Sequence, residues 1–159
     1  MDKRSLLFLC TGNCCRSPLA EAIARHVAGD RFEVHSAGAL PAGYIHPLTL
    51  AVLDAMGIAR DGLTSKSWDA YVDRPIDIAI MLCPFASAAG PRAFPGDGVK
   101  VDWPTTDPSM HDGDVNEQLE MTHHLANRLR LKIERLAALD LDRLTRDQLR
   151  DELEKLADL

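Results

Sequence analysis

The sequence predicts an α/β fold: one domain built on a parallel sheet that is covered on both faces. Three observations carry this. Short apolar runs alternate with segments of helical periodicity, the order that strand–helix–strand crossovers require. The chain has 159 residues, enough for one sizeable core and too few for two comfortable ones. Its apolar and charged fractions, 46% and 26%, are those of an ordinary globular protein rather than a disordered or membrane-spanning one.

Each element follows in order. Ser5-Leu-Leu-Phe-Leu9 is a continuous apolar run, as expected of a strand buried on both faces. After a Thr-Gly-Asn turn, Ser17-Pro18 reads as an N-cap followed by proline at the first helical position. Leu19, Ala22, Ile23, His26 and Val27 continue at helical spacing towards Gly29. Phe32 to Ser36 alternates as a second strand, and Pro47 to Met56 forms a second helix stopped by Gly57. Ile76 to Cys83, interrupted by Asp77, is a third strand, and Val99 to Val101 a short fourth. Between these, Phe85 to Gly98 is rich in proline and glycine and reads mostly as loop.

Val115, Leu119, Leu125, Leu129, Ile133 and Leu136 mark a long amphipathic helix. Thr145-x-x-Gln148 is a capping box that opens a last helix, with Leu149, Leu153 and Leu156 on one face. The expected division is a main domain over residues 1–138 and a C-terminal helical extension over 139–159. The leucine face of that extension packs either on its own domain or in a dimer contact.

The net charge of −6 at pH 7 argues against nonspecific binding to nucleic acid or a membrane surface, which needs a basic face. An anionic ligand must therefore be held by a local positive site. No apolar run spans a bilayer, and the short run behind Met1-Asp2-Lys3-Arg4 is a poor secretory signal. A cytoplasmic protein is expected. Three of the four cysteines, Cys10, Cys14 and Cys15, crowd into one loop, with Cys83 elsewhere and no C-x-x-C pair. That is a poor framework for disulfides or zinc, and in a reducing compartment it points to thiol chemistry.

The first strand runs into Cys10-Thr-Gly-Asn-Cys-Cys-Arg16-Ser17, at the strand end where such sheets bind ligands. Five residues separate the cysteine from the arginine in a turn closed by a helix N-terminus, a CX5R loop. Successive backbone N–H groups of Thr11, Gly12, Asn13, Cys14, Cys15 and Arg16 can form a concave nest for a tetrahedral anion. Gly12 is expected to permit the backbone geometry, and Arg16 to grip two oxygens with its planar fork. A free thiol titrates near ~8.5, and a helix N-terminus with an adjacent arginine brings such thiols to roughly 3.5–7.5. Ser17 can donate a hydrogen bond to the thiolate. One loop thus makes the nucleophile and binds its target.

Leu9-Cys-Thr-Gly-Asn-Cys-Cys-Arg-Ser-Pro-Leu-Ala-Glu21 resembles the signature of the low-molecular-weight protein tyrosine phosphatases and of the thiol-dependent arsenate reductases that share their fold. The resemblance continues through Ser36-Ala-Gly38, Gly57-Ile58, Thr64-Ser-Lys66, Cys83 and Asp107-Pro108, and covers residues from about 5 to 136. It implies a four-stranded parallel sheet in flavodoxin-like order, helices on both faces and no organic cofactor. It also assigns the general acid to Asp107, in the loop that follows the fourth strand. Without the resemblance, Asp107 reads equally well as a residue opening a turn before proline.

Two details favour the reductase branch. The phosphatases usually carry an aromatic residue directly after Asp-Pro, where this chain has Ser109. The resemblance also makes Cys83 the thiol that attacks the Cys10–arsenic adduct, forming a disulfide and releasing arsenite. Thioredoxin-coupled members have a third cysteine at the position held here by Gly90. A Cys10–Cys83 disulfide would then be reduced directly by a thioredoxin- or glutaredoxin-like partner, or a small thiol would replace part of the relay. Cys15 matches the second loop cysteine of the phosphatases, whose disulfide with the nucleophile guards against overoxidation.

Some arsenate reductases bind potassium through residues matching Asn13, Glu21 and Ser36 plus an aspartate. Lys66 stands in the aspartate's place, so its ammonium is expected to replace the cation and no metal is expected. Tyr44 and Trp68 are candidates for the mouth of the site, and His123-His124 reads as a solvated pair. The expected function is arsenate reductase-like, with a low-molecular-weight phosphatase acting on phosphotyrosine as the alternative. A non-catalytic anion- or redox-sensing module is the alternative of another class.

Overall fold

The computed structural model describes residues 3–83 and 95–159; most of the expected loop after Phe85, including Gly90, lies outside them. Four strands, β1 (Arg4–Cys10), β2 (Phe32–Gly38), β3 (Ile78–Met81) and β4 (Val99–Asp102), form one sheet. Its order is β2-β1-β3-β4 and every pairing is parallel, the flavodoxin-like order expected. The helices are α1 (Arg16–Ala28), α2 (Pro47–Met56), α3 (Val115–Ala137) and α4 (Arg146–Leu156). No helix among the described residues is long and apolar enough to cross a membrane.

The unbroken apolar run of β1 suits its place in the middle of the sheet, where Leu6 to Cys10 are all buried. β3 is shorter than the run from Ile76 to Cys83. The Asp77 carboxylate accepts from the Ser5 amide at 2.7 Å, so the strand begins only after it. α2 keeps its expected bounds, because Pro47 fits the first turn and Gly57 takes the left-handed conformation (φ 69°) that ends it.

α1 starts differently from the expectation. Its N-cap is Cys15, with no side-chain cap, because the Ser17 hydroxyl is turned to another use described below. The capping box of α4 is formed in full by Thr145 and Gln148. Leu149 and Leu153 are buried, and the Trp103 indole N–H donates to the Leu153 carbonyl at 2.9 Å. The leucine face therefore packs on its own domain, against β4.

In a parallel sheet all strands point the same way, so the segments leaving β1, β3 and β4 emerge at one edge. Cys10, Cys83 and Asp107 come together there.

Candidate active site

The loop from Cys10 to Ser17 is held by its carbonyls. Those of Thr11, Gly12 and Cys14 accept from the amides of Leu40, Ala42 and His46 at 2.8–2.9 Å. The Gly12 carbonyl also accepts from Ser65 Oγ, and the Cys15 carbonyl from Thr49 Oγ1 and the Leu19 amide. In a planar trans peptide the N–H points opposite to the C=O. Carbonyls drawn outward at these four peptides turn the amides of Gly12, Asn13, Cys15 and Arg16 to the opposite side. Together with the N-terminus of α1, this is the geometry of an anion cradle.

The left-handed residue in the loop is Asn13 (φ 44°), not Gly12. Gly12 keeps an ordinary φ, and a methyl group there would meet nothing nearer than the Cys14 sulfur, at 3.4 Å. Asparagine tolerates this backbone because its short amide is tied down locally. Its Nδ2 donates to Ser17 Oγ at 2.8 Å and Ser36 Oγ at 2.9 Å, and its Oδ1 accepts from the Lys66 amide at 2.8 Å. The close fit is felt at Gly38, where a Cβ would lie 2.7 Å from the Thr11 carbonyl.

Cys10 is 2% exposed, and its sulfur lies 2.8 Å from Ser17 Oγ. Because Ser17 Oγ already accepts from Asn13, its own proton is available to the sulfur. This is why Ser17 does not cap α1.

Glu21 is fully buried among positive groups. Its Oε1 accepts from Ser36 Oγ at 2.6 Å and lies 3.8 Å from Lys66 Nζ, while Oε2 is 2.7 Å from Arg25 Nη2. The last contact is an ion pair without hydrogen-bond alignment. Burial lowers the pKa of Lys66, and the Glu21 carboxylate opposes that shift. Asn13, Glu21, Ser36 and Lys66 thus form one network under the loop. Sequence reading missed Arg25, although its i,i+4 spacing from Glu21 on a helix was a usable signal.

Arg16 is nearly buried. Its Nη1 donates to the Thr105 carbonyl at 3.1 Å, and its Nη2 lies 3.7 Å from Asp107 Oδ2. Asp107 also does what its alternative reading required, since its Oδ1 caps a short 3-10 turn (Pro108–Met110) by accepting from the Ser109 amide and hydroxyl. One carboxylate oxygen is used in the turn, and the other faces Arg16. Cys83, just after β3, is buried and its sulfur lies 3.2 Å from Thr11 Oγ1, which sets it against the loop.

The other two loop cysteines, Cys14 and Cys15, carry raised thiols. Burial pushes the Cys15 thiol up to about 12, the Thr49 hydrogen bond only partly opposing it. Cys14 is half-buried and also raised, first by burial and then by the charges of Cys10 and Asp107. The raised thiol of Cys15 has a consequence for stability. Its contribution is present in full below the unfolded-chain value of 9.0 and is lost as pH rises towards about 12. Urea unfolding at about pH 8 and about pH 10.5 checks this: wild type should lose more stability across the interval than Cys15→Ala.

Tyr44 is exposed on the segment that anchors the loop, whereas Trp68 packs against the core. His124 is exposed as expected and His123 is half-buried, while His35, His46 and His111 each have partners. They contact Glu33 and Tyr71, cap α2, and pair with Glu117, respectively.

Comparison with known proteins agrees with this geometry. The family described as low molecular weight phosphotyrosine protein phosphatase matches residues 5–150. The arsenate reductase of Halalkalibacterium halodurans is 30% identical over 137 residues, covering 86% of this chain and 97% of that protein. An arsenate reductase of Bacillus cereus strain Q1 is 35% identical over 108 residues, 68% of this chain and 79% of that protein. Among solved structures, the thioredoxin-dependent arsenate reductase of Corynebacterium glutamicum superposes with a TM-score of 0.60 at 29% identity, covering 83% of this chain and 62% of that one.

Proposed function

The chain belongs to the low molecular weight phosphotyrosine protein phosphatase family and is an enzyme of its thiol-nucleophile class; we propose that it acts as an arsenate reductase with Cys10 as nucleophile. The observation that carries the reading is the juxtaposition of Cys10, the outward-tied loop and Cys83 at one sheet edge, joined by the Thr11–Cys83 contact of 3.2 Å. The arsenate reductase names of the relatives at 30–35% identity support the same choice.

Arsenate enters with its oxygens on the loop amides and on Arg16. The Cys10 thiolate forms a bond to arsenic, and one arsenic–oxygen bond breaks. The departing oxygen takes a proton from Asp107 and leaves as water. The Cys83 thiolate then attacks the Cys10 sulfur. A disulfide forms, the sulfur–arsenic electron pair stays on arsenic, and arsenic passes from the +5 to the +3 state as arsenite. Two thiolates lose two electrons and arsenate gains two. An external dithiol, thioredoxin-like or glutaredoxin-like, or a pair of small thiols returns the disulfide to the reduced state, which suits a reducing, cytoplasmic setting.

Phosphotyrosine hydrolysis is the second reading, favoured by the family match and by the Asp107-Pro108 pair. It uses the same first step, with water rather than Cys83 resolving the adduct. Cys83→Ser separates the two. Arsenate reduction in the presence of a dithiol is expected to fall about a hundredfold or more while any hydrolysis of 4-nitrophenyl phosphate persists. Reduction that survives this substitution would exclude Cys83 as the resolving thiol.

A further inference from the structure

A cavity of about 380 Å³ lies behind the Asp107 loop, lined by Pro104, Thr105, Thr106 and Pro108 on one side and by α3 on the other. None of the residues from Cys10 to Ser17 lines it, so it is not the anion cradle. The polar side chains that α3 contributes are His124, Arg128 and Lys132, and among the described residues no acidic one lines the cavity. The other α3 residues in its wall are Met121, Leu125 and Leu129. A concave, mostly apolar space of this size with a few convergent polar groups is the usual form of a small-molecule site.

Lys132 makes the cavity more than a packing gap. It is 4% exposed, lies over the Trp103 ring at 5.7 Å and donates to the Ala157 carbonyl at 3.1 Å. Among the described residues it has no carboxylate within 4.0 Å. A buried ammonium with no carboxylate at ion-pair distance is costly, and burial with the nearby Arg128 charge disfavours its protonated form, Asp158 partly opposing them. Lys132 and Arg128 both line the cavity, so an anion there would oppose the desolvation and the like-charge repulsion together.

We propose that this cavity binds a small organic anion, with its charged group on Lys132 and Arg128 and its apolar body against Met121, Leu125 and Leu129. The same wall carries Thr105, whose carbonyl accepts from Arg16, and it runs directly on from Asp107 to Pro108. Occupancy therefore acts on the anion cradle through that segment. The inference does not depend on which oxyanion the cradle processes.

The probe is 8-anilinonaphthalene-1-sulfonate, an aromatic body with one anionic group, titrated calorimetrically with and without saturating inorganic phosphate. Wild type is expected to bind one probe per chain. Arg128→Ala and Lys132→Met should each weaken binding about tenfold, with Arg128→Ala safe as a surface change should Lys132→Met fail to fold. Phosphate should shift probe affinity by a finite factor, and the probe should shift phosphate affinity by the same factor. Absence of one-to-one binding, or indifference to both substitutions, would overturn the site. Complete displacement by phosphate would reassign the probe to the cradle, and a coupling factor of one would overturn the link to Arg16.

Discussion

Cys10→Ser is expected to lower arsenate reduction and aryl phosphate hydrolysis together by roughly 10^4-fold or more, because no other group can form the covalent intermediate. The substitution exchanges sulfur for oxygen at a buried position and leaves the loop's outward-tied carbonyls untouched. Binding of inorganic phosphate should therefore persist in the variant, and thermal unfolding should change little. Steady-state assays with both substrates, alongside phosphate titration, check this. Loss of phosphate binding as well would mean that the fold, not the nucleophile, had been damaged. Cys14 and Cys15 cannot take over, since both thiols are raised by burial and the loop holds neither at the end of β1.

Arg16→Lys is the second large effect, with an expected fall of about a thousandfold in kcat/KM despite retention of the charge. Arginine spans two partners here, with Nη1 on the Thr105 carbonyl and Nη2 facing Asp107. A lysine ammonium is a single point and cannot hold the Thr105 segment while also presenting two parallel donors to an oxyanion. The substitution should raise KM and lower kcat together, because in the proposed mechanism the same side chain binds the anion and positions the loop that carries Asp107. A change confined to KM would show that only uniform binding had been lost.

The elements that local chemistry governs were legible in the sequence. β1 announced itself by an unbroken apolar run, α2 by Pro47 and Gly57, and α4 by its capping box. The order Cys10, Arg16, Ser17 located the loop. Local rules misread it in two places. Ser17-Pro18 has the form of a helix cap, but the buried Cys10 sulfur competes for the serine hydroxyl and holds it. Gly12 has the form of the strained residue, but Asn13 takes that conformation because Ser17, Ser36 and Lys66 satisfy its amide.

What stayed hidden depends on residues far apart in the chain. The backbone donors that turn the loop carbonyls outward come from Leu40, Ala42 and His46, at positions with no motif of their own. The grip of Arg16 on the Thr105 carbonyl spans 89 positions. The cationic cavity is likewise assembled from residues 104–108 and one face of α3. There, regularly spaced Leu125, Leu129 and Lys132 look in sequence like nothing more than a helix meeting a core.

The central claim is that one loop both activates the Cys10 sulfur and holds an oxyanion against it. Alkylation by iodoacetate at neutral pH, mapped by peptide mass spectrometry, tests it most directly. The account predicts that Cys10 is labelled about tenfold faster than the cysteines of the urea-unfolded chain, and that inorganic phosphate suppresses this labelling in a saturable way. Labelling of Cys10 at the rate of an ordinary thiol, or labelling indifferent to phosphate, would contradict it.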